Sequence, residues 1–286
     1  MPILVNPAAG LRRRGFVAGA AWAAAAAATA QPSAAAGRRL GFALGSGALH
    51  GWAHIGVVRA CARLGLRPHA IAGCSAGAAV GALWAAGLDA DEIARVARTI
   101  DWKAAGPLQW LLPGRRRNDS VREAIERAVG GRAIGELPVR FCAVATDMLE
   151  GEPVVLDAGS TALAVAASSS VPVWFEPVRL GGHELSDGSL TAPVPVEAVR
   201  MLGADRVIAV DVAYRPYEGR PSSSADYAFQ ALHILTNALA REQTQAADHL
   251  IRLDLHHLMQ GRFDPAALVD AGDAAMMALA PTLRGG

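Results

Sequence analysis

Apolar and polar positions along this chain follow two rhythms. Short apolar runs occur at Arg39–Leu44, His69–Ala72 and Arg206–Val212. Runs of that length, rich in residues suited to a pleated and buried surface, predict strands. Between them the apolar residues recur at helical spacing. Trp52–Leu64 places Ile55, Val58, Cys61 and Ala62 on one stripe and meets a stop at Gly65. Ala76–Ala86 reads as a helix of small residues closed by Gly87. Asp89 with Glu92 makes a capping box for the next helix, and Ser120 with Glu123 predicts another, opening a helix to Val129.

From Leu137 onward the pattern turns β-rich. PVRFCAVATDM and EPVVLDA, separated by Leu149-Glu150-Gly151, predict a hairpin, and Trp174–Leu180 with His183–Leu185 flank Gly181-Gly182 as a second. Ser160–Ala167 is expected to be helical, Ala225–Leu250 a long helix, Ile251–Leu255 a late strand and Pro265–Leu279 a closing helix. Strands alternating with helices predict an α/β fold with a largely parallel central sheet. No internal repeat or interdomain linker stands out, and Pro221–Ser224 reads as a surface loop.

Composition adds bounds. The chain has 286 residues, 52% of them hydrophobic, and a formal net charge of +1. That is ample for a large core, and without a basic face it does not suit nucleic acid. The cysteines, Cys61, Cys74 and Cys142, are scattered through apolar stretches with no metal-binding spacing, so they read as small buried hydrophobes. Residues 1–30 differ from the rest. Arg12-Arg13-Arg14-Gly15-Phe16 precedes an apolar run, Val17–Ala28, and the small-x-small triplet Ala28-Thr29-Ala30. That layout predicts a twin-arginine-like signal peptide and export to the periplasm. Residues 31–39 would be a linker and 40–286 the functional domain. The alternative is a loosely ordered alanine-rich arm on a cytoplasmic protein.

The chemistry centres on Gly73-Cys74-Ser75-Ala76-Gly77, a G-x-S-x-G placed after a strand and before a helix. In that context the motif reads as a nucleophile elbow, the alternative being a plain turn of small residues. Gly73 and Gly77 remove side chains that would collide across so tight a bend. The N-terminus of the following helix favours the negative charge that develops in acyl transfer. Upstream, Gly45-Ser46-Gly47-Ala48 lies between a strand and a helix, where backbone N–H groups can converge on an anion. With Gly51 this stretch also has the look of a dinucleotide phosphate loop. That reading requires an acid at the end of the next strand, where Gly73-Cys74-Ser75 stands instead. His233, His249, His256 and His257 follow the serine, but none carries a distinguishing local signature, and His54 reads as a packed helix residue. Asp187, in the Asp187-Gly188 turn at the end of a hairpin strand, is a carboxylate that could serve as base without a histidine.

Taken together, LGSGALHGWAHIGV, GCSAG, ASSSVPVWFEPV and SDGSLTAPVPV resemble the patatin-like phospholipase family, in its bacterial branch with a G-S-G loop. The resemblance runs from about Leu40 to the C-terminal helix. It implies a three-layer α/β sandwich with helices on both faces of the sheet, and a Ser–Asp dyad hydrolysing lipid or phospholipid esters without metal or organic cofactor. By it, Ser75 is the nucleophile and Asp187 the proton acceptor. Gly45, Ser46, Gly47, Ala48 and Ala76 supply the oxyanion hole, and His50, Gly51, Gly73, Gly77 and Gly188 support the motifs. Two positions depart from the family pattern: His50 stands where Arg or Lys is usual, and Ser189 follows the Asp-Gly pair in place of Gly or Ala. Those departures keep open a non-catalytic lipid-binding or regulatory protein on the same fold. Trp102 and Trp110, beside Arg115-Arg116-Arg117, suit contact with a membrane surface or, equally, packing beside a solvated charge run.

Overall fold

The computed structural model describes residues 39–100, 118–172, 174–213, 221–259 and 263–283. It is an α/β sandwich around one eight-stranded sheet. The strands are β1 (Leu40–Leu44), β2 (Ala70–Cys74), β3 (Arg140–Asp147), β4 (Pro153–Leu156), β5 (Val178–Leu180), β6 (His183–Asp187), β7 (Arg206–Asp211) and β8 (His249–Arg252). The helices are α1 (Trp52–Leu64), α2 (Ala76–Ala85), α3 (Ala90–Thr99), α4 (Asp119–Val129), α5 (Thr161–Ser168), α6 (Val196–Met201), α7 (Ser224–Gln243) and α8 (Pro265–Leu283). β3, β2, β1, β7 and β8 lie side by side and parallel, while β4 and β6 pair with β3 antiparallel, and β5 pairs with β6 in the same sense.

Side-chain size separates the two faces of the sheet. Phe42 is in register with Ile71 and Ile208, and Ile71 with Phe141. These large residues belong to the main core, with α1 to α5 and α8 packed over them. One position along, Ala43 aligns with Ala72 and Ala209, and Ala72 with Cys142. This flatter face takes α6, through Val196 and Val199, and the end of α7, through Ala240. Helices therefore cover both faces, as the resemblance implies, and all three cysteines are buried and free.

Local chemistry explains where the elements begin and end. Asp89 and Glu92 form the expected capping box on α3, and Ser160 caps α5 by accepting from the Leu163 N–H. The box expected at Ser120 is absent, because the helix begins two residues earlier than that cap requires, with Asn118 as its N-cap. The Asn118 side chain instead donates to the Ser169 carbonyl, 3.0 Å away. The long helical run expected to reach Leu250 ends at Gln243 and gives way to β8 at His249–Arg252. The aromatic segment from Trp174 is not a strand until Val178. α6 has no helical signal in PVPVEAV, where prolines interrupt the run; it forms over the sheet and buries Val196, Ala198 and Val199. The leader expected over residues 1–30 and the linker up to residue 38 lie outside the described residues. Arg39 is described, and its guanidinium holds Asp205 at 2.7 and 2.9 Å.

Candidate active site

β3 is the frame on which the site is assembled. On one flank Val144 pairs with Cys74 of β2, and on the other with Val155 of β4. The next residue, Ala145, pairs with Val154 of β4 and with Asp187 of β6. β4 occupies one flank at both positions, so β2 and β6 share the other. β2 runs parallel to β3 and β6 runs against it. Their C-terminal ends therefore meet head to head, Cys74 opposite Val144 and Asp187 opposite Ala145. Sequence register alone brings residues 75 and 187 together.

At that junction the chain turns sharply. Ser75 has φ 54° and ψ −120°, a left-handed backbone that costs a non-glycine residue about 1–3 kcal/mol. The flanking glycines permit it. A Cβ at Gly77 would stand 2.1 Å from the Leu44 carbonyl oxygen, and one at Gly73 would stand 2.4 Å from the Ala78 Cα. A Cβ at Gly188 would meet the Val144 carbonyl oxygen at 2.1 Å, so the Asp-Gly turn is packed against β3 as closely as the elbow is against β1.

A run of three serines clamps both members of the pair. Ser168 Oγ accepts the Ser75 N–H at 2.9 Å and donates to the Val144 carbonyl at 2.6 Å. The Ser170 carbonyl accepts the Asp187 N–H at 2.9 Å, and Thr146 Oγ1 donates to the Asp187 carbonyl at 2.9 Å. Asp187 is 1% exposed and Ser75 8%. One carboxylate oxygen, Oδ1, accepts the Ser189 N–H at 2.9 Å. The other, Oδ2, is buried with no well-aligned hydrogen bond. Burial raises the Asp187 pKa, and the nearby Ser75 hydroxyl offsets that in part. The hydroxyl is thus near the carboxylate but not squarely aligned with it. No histidine hydrogen-bonds to either residue among the described ones; His249 instead pairs with Arg206 Nε at 2.9 Å.

The glycine-rich turn divides into two parts. The N–H groups of Gly45 and Ser46 are committed to the carbonyls of Val210 and Pro193, at 2.9 and 2.8 Å. They anchor the turn and cannot also face an oxyanion, which corrects the expectation for these two residues. Gly47 and Ala48 donate to no carbonyl among the described residues. Ala48 has φ 43°, the one other left-handed non-glycine backbone besides Ser75 among the described residues. The turn abuts the elbow helix: a Cβ at Gly51 would lie 2.5 Å from the Ala76 Cβ. Two buried histidines brace it. His54 Nε2–H donates to the Gly45 carbonyl at 2.8 Å, and His50 Nδ1–H to the Val212 carbonyl at 3.0 Å. Burial lowers both pKa values to about 4. At neutral pH His50 is uncharged and does not reproduce the cation usual at its position. Trp102, Trp110 and Arg115 to Arg117 lie outside the described residues.

A sequence model of the patatin-like phospholipase family matches residues 42–200, from β1 through the elbow and the Asp-Gly turn into α6. The chain belongs to the patatin-like phospholipase family. Among its relatives, an uncharacterized NTE family protein of Mycobacterium tuberculosis is 37% identical over 179 residues, which cover 61% of this chain and 49% of that protein. Neuropathy target esterase sws of Drosophila melanogaster is 27% identical over 188 residues, 62% of this chain and 13% of that protein. The chain thus spans about half the length of the mycobacterial relative and much less of the fly protein. VipD from Legionella pneumophila, a solved structure, aligns with 86% of this chain and 67% of its own at 15% identity and a TM-score of 0.46.

Proposed function

We propose that the protein is a serine acyl hydrolase that cleaves carboxyl esters of lipids, of the lipase, phospholipase A or lysophospholipase type, with Ser75 as nucleophile and Asp187 as its base. The observation that carries this reading is the head-to-head meeting of β2 and β6 on one flank of β3, which sets the elbow serine beside a buried carboxylate oxygen lacking a partner. A buried carboxylate with a raised pKa is a stronger base than one in water, and closer to what general-base chemistry needs.

The steps balance as follows. Asp187 Oδ2 takes the Ser75 proton while Oγ bonds to the ester carbonyl carbon. The carbonyl oxygen becomes an oxyanion, held by the N–H groups of Gly47, Ala48 and Ala76. Each such donor is worth about 10²–10³ in kcat. The intermediate collapses, the alcohol leaves with the proton from Asp187, and the acyl group stays on Ser75. Water then gives a proton to Asp187 and attacks the acyl carbon. The fatty acid departs, and Ser75 recovers its proton. Two fixed backbone strains, at Ser75 and Ala48, hold these groups ready before substrate arrives.

The test is Ser75→Ala. It should abolish labelling by a fluorophosphonate and turnover of p-nitrophenyl butyrate, while circular dichroism is unchanged. Labelling that persists in the variant would assign another nucleophile. A folded wild-type protein with no turnover between pH 6 and 9 would reject catalysis.

A further inference from the structure

Ser75 and the glycine-rich turn stand at the C-terminal ends of β2 and β1. At the opposite edge of the sheet, Arg39 leads into β1, His69 leads into β2 and Arg140 opens β3. These strands are neighbours in the sheet, so the three side chains start side by side. The turn from α6 to β7 runs past them through Gly203, whose φ is 93°. A Cβ on Gly203 would have as its nearest atoms Arg140 Nη1 at 3.4 Å, Arg39 Nη1 at 3.6 Å and His69 Nε2 at 3.8 Å. Three nitrogens thus gather around one point that no side chain fills.

The charges gathered there do not balance. Asp205 is the acid that faces the group, and Arg39 already holds it through Nε and Nη2, at 2.9 and 2.7 Å, which leaves Nη1 over. Arg140 Nη1 donates to the Leu202 carbonyl at 3.1 Å, and Arg140 makes no ion pair with another described residue. His69 Nε2 is closed off from solvent and has no partner. Burial lowers the His69 pKa, and the Arg140 and Arg39 charges lower it further, against Asp205. Like charges held this close disfavour one another, and an anion between them would remove that cost. Donors converging from three sides suit an anion whose oxygens point apart. A carboxylate offers two coplanar oxygens, enough for one guanidinium; a phosphate group offers oxygens to all three nitrogens.

We propose that Arg39, His69 and Arg140 form a binding site for a phosphate group at the N-terminal edge of the sheet. Both arginines are exposed, so their guanidinium groups part to admit a phosphate oxygen to His69. His69 and Ser75 are separated by roughly 20 Å of strand at about 3.3 Å per residue, so the phosphate takes no part in chemistry at the elbow. It fastens together the starts of three strands. Their other ends carry the glycine-rich turn, Ser75 and the flank where Asp187 pairs.

The full chain is titrated with inorganic phosphate at neutral pH and fixed ionic strength, by calorimetry and by NMR of the histidine ring protons, with His69→Gln assigning the His69 signals. Binding should saturate with a Kd of about 1 mM or tighter, move the His69 signals, and weaken at least tenfold in Arg140→Gln. Arg140→Lys keeps the charge but loses the planar fork, and should weaken it by less. Glycerol 3-phosphate, and phosphatidylcholine vesicles with and without phosphatidic acid, separate the sources of the phosphate. Sedimentation with the phosphatidic acid vesicles alone, lost in Arg140→Gln, assigns the site to a lipid headgroup. Binding of phosphate and glycerol 3-phosphate without sedimentation assigns it to a soluble ligand. Binding that does not saturate, or that Arg140→Gln leaves unchanged, would overturn the site. So would His69 signals that stay still in the wild type, a result that holds even if Arg140→Gln folds poorly.

Discussion

A single hydroxyl, that of Ser168, holds the strained backbone of Ser75, the proposed nucleophile, in place. It is fully buried, accepts the Ser75 N–H and passes its own proton to the Val144 carbonyl. It therefore ties the elbow directly to β3, the strand against which β6 and Asp187 pair. Ser168→Ala leaves both groups unpaired in a dry site, at about 1–3 kcal/mol of stability. Because the left-handed Ser75 backbone then loses its anchor, we expect a fall in kcat of about 10²-fold from misplaced reacting atoms. KM should be nearly unchanged, since Ser168 is fully buried and presents no surface to substrate. Steady-state kinetics with urea denaturation on the same samples checks both parts, and a variant that loses stability but keeps kcat would confine Ser168 to a packing role. Ser75 itself is legible in the sequence, because G-x-S-x-G between a strand and a small-residue helix has a local mechanism. Ser168 is not. The same triplet of serines could close any alanine-rich helix, and its meaning comes from an N–H 93 positions away in the chain.

The elements were legible where burial and spacing agree. β1, β2 and β7 are central parallel strands covered on both faces, so each appears as an unbroken apolar run. α6 and the edge of the sheet were not, because their structure is imposed by what they lie against. Asp187 falls in this second group: its segment reads as a simple turn, and its role emerges from pairing at Ala145, one step beyond the end of β2. Local pattern fits a candidate base and a simple turn equally well there; the resemblance to a family is what favours the base. The contact of α1 with α8 shows how strictly such long-range packing constrains sequence. A Cβ on Gly272 would sit 1.9 Å from the Ala53 carbonyl oxygen, and one on Gly56 would sit 1.9 Å from that of Val269. Backbone meets backbone there, with Arg59 and Arg63 reaching Asp270 and Asp273 alongside. Gly272→Ala would be mildly favourable on helix propensity alone, by up to about 1 kcal/mol. Here the clash must push two helices apart, and overpacking of this kind costs about 1–3 kcal/mol. The net expectation is a lower urea midpoint with an unchanged slope; a stabilised variant would show that α8 can slide on α1 freely.

Across the whole molecule, acid stability is tied to the same turn that serves the site. His50 and His54 are buried and neutral, each with a pKa lowered from 6.5 to about 4. In the unfolded chain both return to their ordinary value. Between about pH 6.5 and 4 the unfolded state therefore binds protons that the folded state refuses, and stability falls as pH drops through that window. It is fully present above the unfolded pKa, and no further loss arises from these groups below the folded one. At 1.36 kcal/mol per unit, each histidine accounts for roughly 3 kcal/mol, against a total stability of about 5–15 kcal/mol for a typical domain. Two side chains thus hold a large share of the acid sensitivity, and both are braces of the glycine-rich turn. Urea denaturation at pH 7.5 and pH 4.5 should show a large drop for the wild type. His54→Gln keeps a side-chain N–H to offer the Gly45 carbonyl but cannot take up a proton, and should remove about half of it. If His54→Gln leaves the pH dependence intact, then His54 is protonated in the folded protein at mild acidity. The anchoring of Gly45 would in that case tolerate a buried charge, against its full burial and its unpaired Nδ1.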